Sequence, residues 1–396
     1  MRGLYVHIPF CVKKCSYCDF YSLPSRLDTM EDYVQAVLKE AQKYAGMSFD
    51  TLYIGGGTPS LLGAKHLTTL INGLYHFIVI PAQAVGTLGT KCTGIHTPDS
   101  PTRHLLKLTE STIEVNPESA TREFLETVKD AGFNRLSFGV QSLSNAELKS
   151  VGRIHRAEQA ISAIKLAQKL GFKAISADLI IGLPGQTGAS LRKSLETLGG
   201  MGIQHLSVYC LSLEEGTPLA NNPPADLPSD DMQVKLFEET SKYLKTRGYE
   251  HYEISNFAKK GCECLHNLNY WHDGEYLGLG TAAASHLDGK RFKNYANLDA
   301  YVENPTGQIE YIEELSKKEK AAEEAILRLR LLEEGLNTSE LAAKFGNENV
   351  KNIIDRLDEM VREGSLIAEG TRYRLTPSRI MTSNPIYAGV ISAVSE

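Results

Sequence analysis

Six times between residues 4 and 211 a short apolar run appears, and amphipathic segments of helical period lie between the runs. The runs at 4–8, 51–55, 112–115, 135–139, 174–181 and 205–211 read as strands. The segments at 30–44, 64–75, 121–131, 157–170 and 189–199 read as helices. Runs such as AISADLII and LYIGGG have continuous apolar character, as expected of parallel strands buried on both faces. This β-α alternation leaves few architectures. It predicts an α/β fold whose parallel sheet is covered by its own crossover helices. Six units would make an open, partial (β/α)6 barrel, with functional residues at the C-terminal strand ends, as in complete barrels.

The segment 77–111 breaks the rhythm with scattered Gly, Pro and Thr and no clear period, so it is expected to be an irregular insertion. Its Cys92, His96 and His104 match no metal-ligand template and read as loop residues. Beyond the barrel, NNPPADLPS at 221–229 reads as a Pro-rich linker, followed by a helix at 230–247 and a stretch rich in aromatics, His and Gly at 249–286. Helices at 317–332, 338–345 and 350–363 precede SLIAEGTRYRLT, which reads as two short strands around a turn. Helix, helix, helix, hairpin is a winged-helix-like order. The domain reading is therefore a core at 1–220, a linker and motif region at 221–300, and an α-rich C-terminal domain at 301–380.

Charge narrows the function classes. The net charge of -6 argues against a general polyanion binder. The mixed charge of KNIIDRLDEMVREG favours a structural cap over a DNA-reading helix, so no nucleic-acid partner is expected. No apolar run reaches the roughly 18 residues of a membrane span, and MRGLYVHIPFC is not a signal peptide. The expected compartment is cytoplasmic. There, clustered cysteines read as metal ligands rather than disulfides.

The chain has 7 cysteines, and Cys11, Cys15 and Cys18 form a C-x3-C-x2-C loop. Three thiolates so spaced can hold three irons of a [4Fe-4S] cubane. The fourth iron would be open to the amino and carboxylate groups of S-adenosylmethionine (SAM), whose reductive cleavage yields a deoxyadenosyl radical. Tyr17 would pack on the cluster or the adenine. A structural zinc site is the alternative, but zinc normally takes four ligands in paired spacings. After the second strand, Gly55, Gly56, Gly57 and Thr58 let backbone approach a ligand closely. A GGG run alone is more often just a turn. One strand after the cysteine loop, it reads as the seat of the methionine end of SAM. Glu114, Gln141, Arg153 and Asp178 lie at or just beyond strand ends. Glu114 could hold the SAM amine and Arg153 its carboxylate, while Asp178 and Gln141 could bond ribose or a second ligand. Each alone could equally be a helix cap or a surface polar residue.

Together, YVHIPFCVKKCSYCDF, IGGGTPS, EVNPES, RLSFGVQS, GRIH and DLIIGLPGQT resemble the oxygen-independent coproporphyrinogen III oxidase family of radical SAM proteins. The likeness runs from residue 3 to about 380, apart from 77–111. It implies that Tyr5, the three glycines, Thr58, Glu114, Gln141, Arg153 and Asp178 contact SAM. Two features point to the heme chaperone (HemW-type) branch. The oxidases carry a further Cys two positions after the third cluster Cys, where this chain has Phe20. HNLNYW at 266–271 resembles the heme motif of the chaperones.

That motif implies heme as a further ligand. A neutral imidazole at His266 can bind heme iron, and Tyr270 and Trp271 can stack on the macrocycle. The turn-prone KKGCEC segment suggests a ring near an open face, with Lys259 and Lys260 available to the propionates. A lone His beside aromatics is usually a packed core residue, and Cys264, His251, His272 and His286 are rival ligands. The resemblance therefore implies a heme chaperone that hands heme to hemoproteins, using an electron donor for its cluster. It allows a transient contact with a membrane protein and either a monomer or a homodimer. The alternatives are a radical decarboxylase acting on coproporphyrinogen propionates and a binding module with a structural metal only. Whether the chain turns over a substrate stays open at this point.

Overall fold

The computed structural model describes residues 1–24, 26–77, 108–307 and 309–395. Most of the 77–111 segment, including Cys92, His96 and His104, lies outside them.

The centre of the fold is six parallel strands in sequence order: β1 (Arg2–Ile8), β2 (Thr51–Gly56), β3 (Glu110–Val115), β4 (Arg135–Gln141), β5 (Ala174–Ile181) and β6 (His205–Cys210). Helices α1 (Met30–Ala41), α2 (Gly63–Phe77), α3 (Arg122–Asp130), α4 (Asn145–Ser150), α5 (Ala157–Lys169) and α6 (Gly188–Gly200) occupy the crossovers. In α1, Met30, Tyr33, Val34, Val37 and Ala41 recur at helical spacing and are buried. That stripe is what fastens the helix to the sheet. These elements form the expected partial barrel.

The interior corrects one expectation. The strands are not apolar on both faces. Leu4, Val6, Ile8, Leu52, Ile54, Ile113, Leu136, Phe138, Ile175, Leu179, Leu206 and Val208 belong to the core shared with the helices. The alternate positions carry Tyr5, His7, Thr51, Tyr53, Glu110, Thr112, Glu114, Arg135, Ser137, Ser176, Asp178, His205 and Ser207. Registers such as Tyr53↔Thr112, Ser137↔Ser176 and Asp178↔Ser207 put these on one face. Because side chains alternate across a strand, the barrel is apolar outside and polar inside. Buried polar groups need partners, so this lining is a bonded network.

Residues 221–300 do not behave as a linker. After helix α7 (Asp230–Thr246), strands β7 (Glu250–Glu253) and β8 (Asn256–Ala258) extend the sheet beyond β6, with β8 antiparallel to it. Helix α8 (Leu265–Trp271) follows. Strand β9 (Glu275–Leu279) then returns to pair in parallel with β1. Strands β10 (Ala284–Leu287), β11 (Lys290–Asn294) and β12 (Ile309–Glu314) continue outward from β9, completing a 12-stranded sheet. Backbone pairing with β1 was unavailable to a local pattern reading.

The C-terminal part has its own apolar core. Helices α9 (Lys317–Arg328), α10 (Thr338–Phe345) and α11 (Asn347–Arg362) pack with a sheet of β13 (Leu336–Asn337), β14 (Leu366–Glu369) and β15 (Arg372–Leu375). The order is the expected winged-helix-like one. A further helix, α12 (Asn384–Ser395), adds Ile386, Tyr387 and Val390 to this core. Among the described residues no helix is long and apolar enough to cross a membrane.

Candidate functional site

Strand β1 leads straight into the cysteine loop. Ser16 N donates to Val151 O at 3.1 Å, and Leu219 N donates to Ser16 O at 2.9 Å, so the loop is tied to the far side of the barrel mouth. Cys11 is buried; Cys15 and Cys18 are half-buried. The Thr58 hydroxyl donates to Cys11 Sγ at 3.4 Å, and Arg153 Nη1 lies 3.7 Å from Cys15 Sγ. Both contacts place a donor against a sulfur of the loop. Tyr17 packs against Val151, Ile180 and Leu183. Burial raises its phenol pKa, against the opposing pull of Arg153. Among the described residues no three Cys, His, Asp or Glu side chains are close enough to hold a single ion. A cubane places each thiolate on a different iron, so these sulfurs need not converge on one point.

The glycine loop lies against this cluster of thiols. A Cβ on Gly57 would come within 2.7 Å of Phe10 O and 3.0 Å of Cys11 Sγ. Gly56 has φ 113°, and a Cβ there would sit 2.6 Å from His7 Cε1. Only glycine allows this approach. Glu114 is held by two donors. Tyr53 O–H reaches its Oε1 at 2.9 Å and Gly56 N its Oε2 at 3.1 Å. Burial, then the nearby Asp178, raises the Glu114 carboxyl to about 7. Burial raises Asp178 to about 6, although Ser207 and Ser137 bond it. Tyr5 OH lies 3.0 Å from His7 Nδ1, and its pKa is raised by burial and then by Glu114. Arg153 donates to Gly139 O at 2.8 Å and to Asn116 Oδ1 at 3.1 Å, while its buried Nε has no partner. Gln141 ends β4 at φ 63°, and its amide faces Gly139.

The expected SAM residues thus gather toward one end of the barrel, except that Asp178, expected at a strand end, lies mid-strand in the interior, bonded to Ser137. A ligand with an amine and a carboxylate would find Glu114 on one side and Arg153 on the other, beside three thiols. The donor set, the glycine cradle and the unpaired Arg153 Nε fit a cluster with SAM. Two residues here escaped sequence reading. Asn116 bridges Arg153 to Thr58, donating from Nδ2 at 3.0 Å. Tyr53 positions Glu114. Asn116 stands in the EVNP run beside Glu114, so adjacency was the available signal. Tyr53 is visible only once the inward face of β2 is known.

The opposite end of the barrel holds the aromatic motif, and here an expectation fails. His266 is not near an open face. It is 1% exposed. Its Nδ1 lies 2.8 Å from Thr51 Oγ1 and its Nε2 2.8 Å from Tyr270 OH. The ring stacks on Tyr53, with centroids 5.2 Å apart. A Cβ on Gly3 would meet it at 2.9 Å. Burial lowers its pKa to about 3, so the ring is neutral. Tyr270 is edge-on to both His266 and Tyr276, and Trp271 lies beneath Arg330 of the C-terminal part. Tyr270 and Trp271 are half-buried, but heme iron cannot reach the His266 ring as it stands, so His266 does not fit an axial ligand in this conformation. The rival ligands differ in exposure, but each has a partner of its own. Cys264 is buried, with its thiol 3.3 Å from Glu110 Oε1. His286 is buried against Asp273 and Tyr276. His251 is half-buried and stacked on Phe257. His272 is half-buried and pairs with Glu334. Lys259 covers the Tyr249 ring.

The reason for the burial is Glu110. It accepts from Leu265 N at 3.1 Å, from His266 N at 3.0 Å and from Cys264, and it faces Arg135 at 3.7 Å. A carboxylate therefore caps the first turn of α8 from inside the barrel, favourably placed against the helix N-terminus.

Comparison with known proteins agrees with this architecture. The family model described as the radical SAM superfamily matches residues 5–198, and the HemN C-terminal domain matches residues 315–379. The chain is 31% identical to "Heme chaperone HemW" of Lactococcus lactis over 98% of this chain and 96% of that protein. It is 34% identical to "Heme chaperone HemW" of Escherichia coli, covering 94% of each. In structure it resembles coproporphyrinogen III oxidase (HemN) from Escherichia coli, described as a radical SAM enzyme, with a TM-score of 0.81, 22% identity, and coverage of 99% of this chain and 89% of that one. At that identity the likeness shows the fold alone.

Proposed function

This chain belongs to the heme chaperone HemW family within the radical SAM superfamily, and on that premise we propose that it binds heme and delivers it to hemoproteins. The observation that carries this reading is near-full-length similarity to several bacterial heme chaperones. Phe20 supports it over the oxidase alternative. It is 62% exposed beside the cluster loop, at the position where the resemblance implies a Cys in the oxidases.

In this proposal Cys11, Cys15 and Cys18 hold a [4Fe-4S] cluster, which supplies the open iron and the electron. Glu114 accepts from the SAM amine, and Arg153 pairs with its carboxylate. Gly55, Gly56, Gly57 and Thr58 carry the methionine end. Tyr5, Tyr17, Gln141 and Asp178 line the remainder. The recipient hemoproteins and the electron donor are separate proteins, and the working compartment is the cytoplasm. The domains are read as a radical SAM core and a C-terminal cap.

The test is anaerobic. Reconstituted protein is loaded with heme, separated from free heme, and mixed with apomyoglobin as acceptor. Heme should bind and then appear in the acceptor. A parallel incubation with coproporphyrinogen III and SAM should give no protoporphyrinogen. Protoporphyrinogen formation with no retained heme would overturn the reading in favour of the oxidase.

A further inference from the structure

One line of contacts joins the two ends of the barrel. His266 on α8 touches Thr51 and stacks on Tyr53. Tyr53 donates its phenol to Glu114. Glu114 receives the Gly56 amide in the loop beside the cysteines. We propose that His266 is a positioning residue that seats Tyr53, and through it Glu114, against the glycine loop, and that it is not the iron ligand of bound heme. This rests on the reading that Glu114 and the glycine loop hold SAM.

The case against ligation is geometric. An axial ligand must offer one ring nitrogen to iron, and both nitrogens of His266 are committed to hydroxyl groups inside the barrel. Exposing the ring would mean withdrawing α8, which would strip Glu110 of two backbone donors and a thiol. Unpairing a buried carboxylate is costly. The rest of the motif is spent on fastening. Tyr270 closes over His266, and Trp271 faces the other way, under Arg330.

The case for positioning lies in how closely His266 packs on Tyr53. The Tyr53 hydroxyl bonds Glu114, and its ring is flanked by His266 at 5.2 Å, with planes 30° apart, and by the more distant Tyr5 at 6.3 Å, with planes 32° apart. Removing the imidazole opens a void beside Tyr53 and leaves the Thr51 hydroxyl without its partner. Tyr53 can then swing toward the floor, and Glu114 loses one of its two donors. Buried side chains relax into voids only partly, so the effect reaches SAM through orientation rather than collapse.

The experiment uses full-length, cluster-loaded protein: wild type, His266→Ala, His266→Gln, Tyr53→Phe and Glu114→Gln. SAM affinity is read by equilibrium dialysis and heme binding by absorbance titration, with iron content and circular dichroism as folding controls. His266→Ala and Tyr53→Phe should each weaken SAM about tenfold, the loss expected for one buried hydrogen bond. Together they should be less than additive. His266→Gln, which keeps a polar group for Tyr270, should recover most of the SAM affinity. The heme affinity and Soret position should match wild type in all three. If His266→Ala does not fold, Tyr53→Phe and His266→Gln decide the matter. Loss of the heme spectrum in both His266 variants with SAM affinity intact would overturn the inference. If Glu114→Gln weakens SAM while the His266 and Tyr53 variants do not, the inference alone falls. If Glu114→Gln leaves SAM affinity unchanged, the SAM-site reading falls and takes the inference with it.

Discussion

Removing the Glu110 carboxylate should loosen the barrel floor more than any single change at the mouth. Glu110 is fully buried and accepts from Leu265 N, His266 N and the Cys264 thiol, with Arg135 3.7 Å away and also buried. Each hydrogen bond to a charged acceptor is worth about 1.5–3 kcal/mol. Breaking a buried ion pair from one side costs about 3–5 kcal/mol. These contributions overlap, because the same carboxylate serves all of them. Glu110→Ala should therefore destabilise by about 4 kcal/mol, near the middle of the buried-pair range. With a urea m-value of about 3 kcal/mol/M for a chain this long, the midpoint should fall by roughly 1.3 M. The chain's 1 tryptophan is Trp271, at the end of α8, so its fluorescence reports this helix directly. Circular dichroism follows the whole chain in parallel. Adding Arg135→Met to Glu110→Met should recover part of the loss, since an apolar pair of similar volume tolerates burial better than a lone guanidinium. A midpoint shift below about 0.3 M for Glu110→Ala would refute the assignment of Glu110 as the node that holds α8. Failure of the double variant to recover would refute the role given to Arg135.

Other outcomes are expected at the mouth. Reconstituted wild type should hold about four irons and four sulfides per chain, and Cys15→Ala should lose them while Cys210→Ala keeps them; a full cluster in the Cys15 variant would disprove the ligand assignment. Glu114, raised to about 7 by burial and then by Asp178, must be ionised to pair with an amine. SAM affinity should therefore rise as pH increases from 6 to 8, and Glu114→Gln should flatten that slope in dialysis at matched ionic strength; an unchanged slope in the variant would discard Glu114 as its source. The same raised carboxyl means that the folded, ligand-free chain holds a proton that the unfolded chain releases near pH 4.5. Its contribution to stability is present at low pH and lost as pH rises through about 7, so Glu114→Gln should shrink the difference in thermal midpoint between pH 5 and pH 8. Phe20→Cys should not confer protoporphyrinogen formation from coproporphyrinogen III, measured by fluorescence after oxidation; a clear yield would show that this one position separates the two chemistries.

Much of the candidate site was legible in the sequence because its determinants are local. Cys11, Cys15 and Cys18 lie on one loop, so their spacing alone limits what they can hold. Gly55, Gly56 and Gly57 announce a backbone that something approaches closely, and the structure puts the Cys11 sulfur there. The β-α alternation dictated parallel order, since consecutive strands joined by helices have few other ways to pack. The winged-helix-like order of the C-terminal part was likewise written in helix periods and one turn.

What the tertiary structure decided depended on partners far away in the chain. The inward faces of the strands read as apolar because Tyr53, Ser137 and Ser176 sit among Leu, Ile and Ala; only registration between strands collects them into a polar interior. Strand β9 looked like part of a linker because its partner is the first strand of the chain, pairing Arg2 with Glu275. No local pattern encodes a hydrogen-bonding neighbour at that separation. His266 shows the same limit most sharply. A turn before it and aromatics after it suggest an exposed ring, yet its environment is set by Thr51, Tyr53 and Glu110. Sequence determines which groups a residue carries and the local backbone it prefers. Burial is a property of the assembled neighbours, and for His266 those neighbours turn a candidate metal ligand into part of the barrel floor.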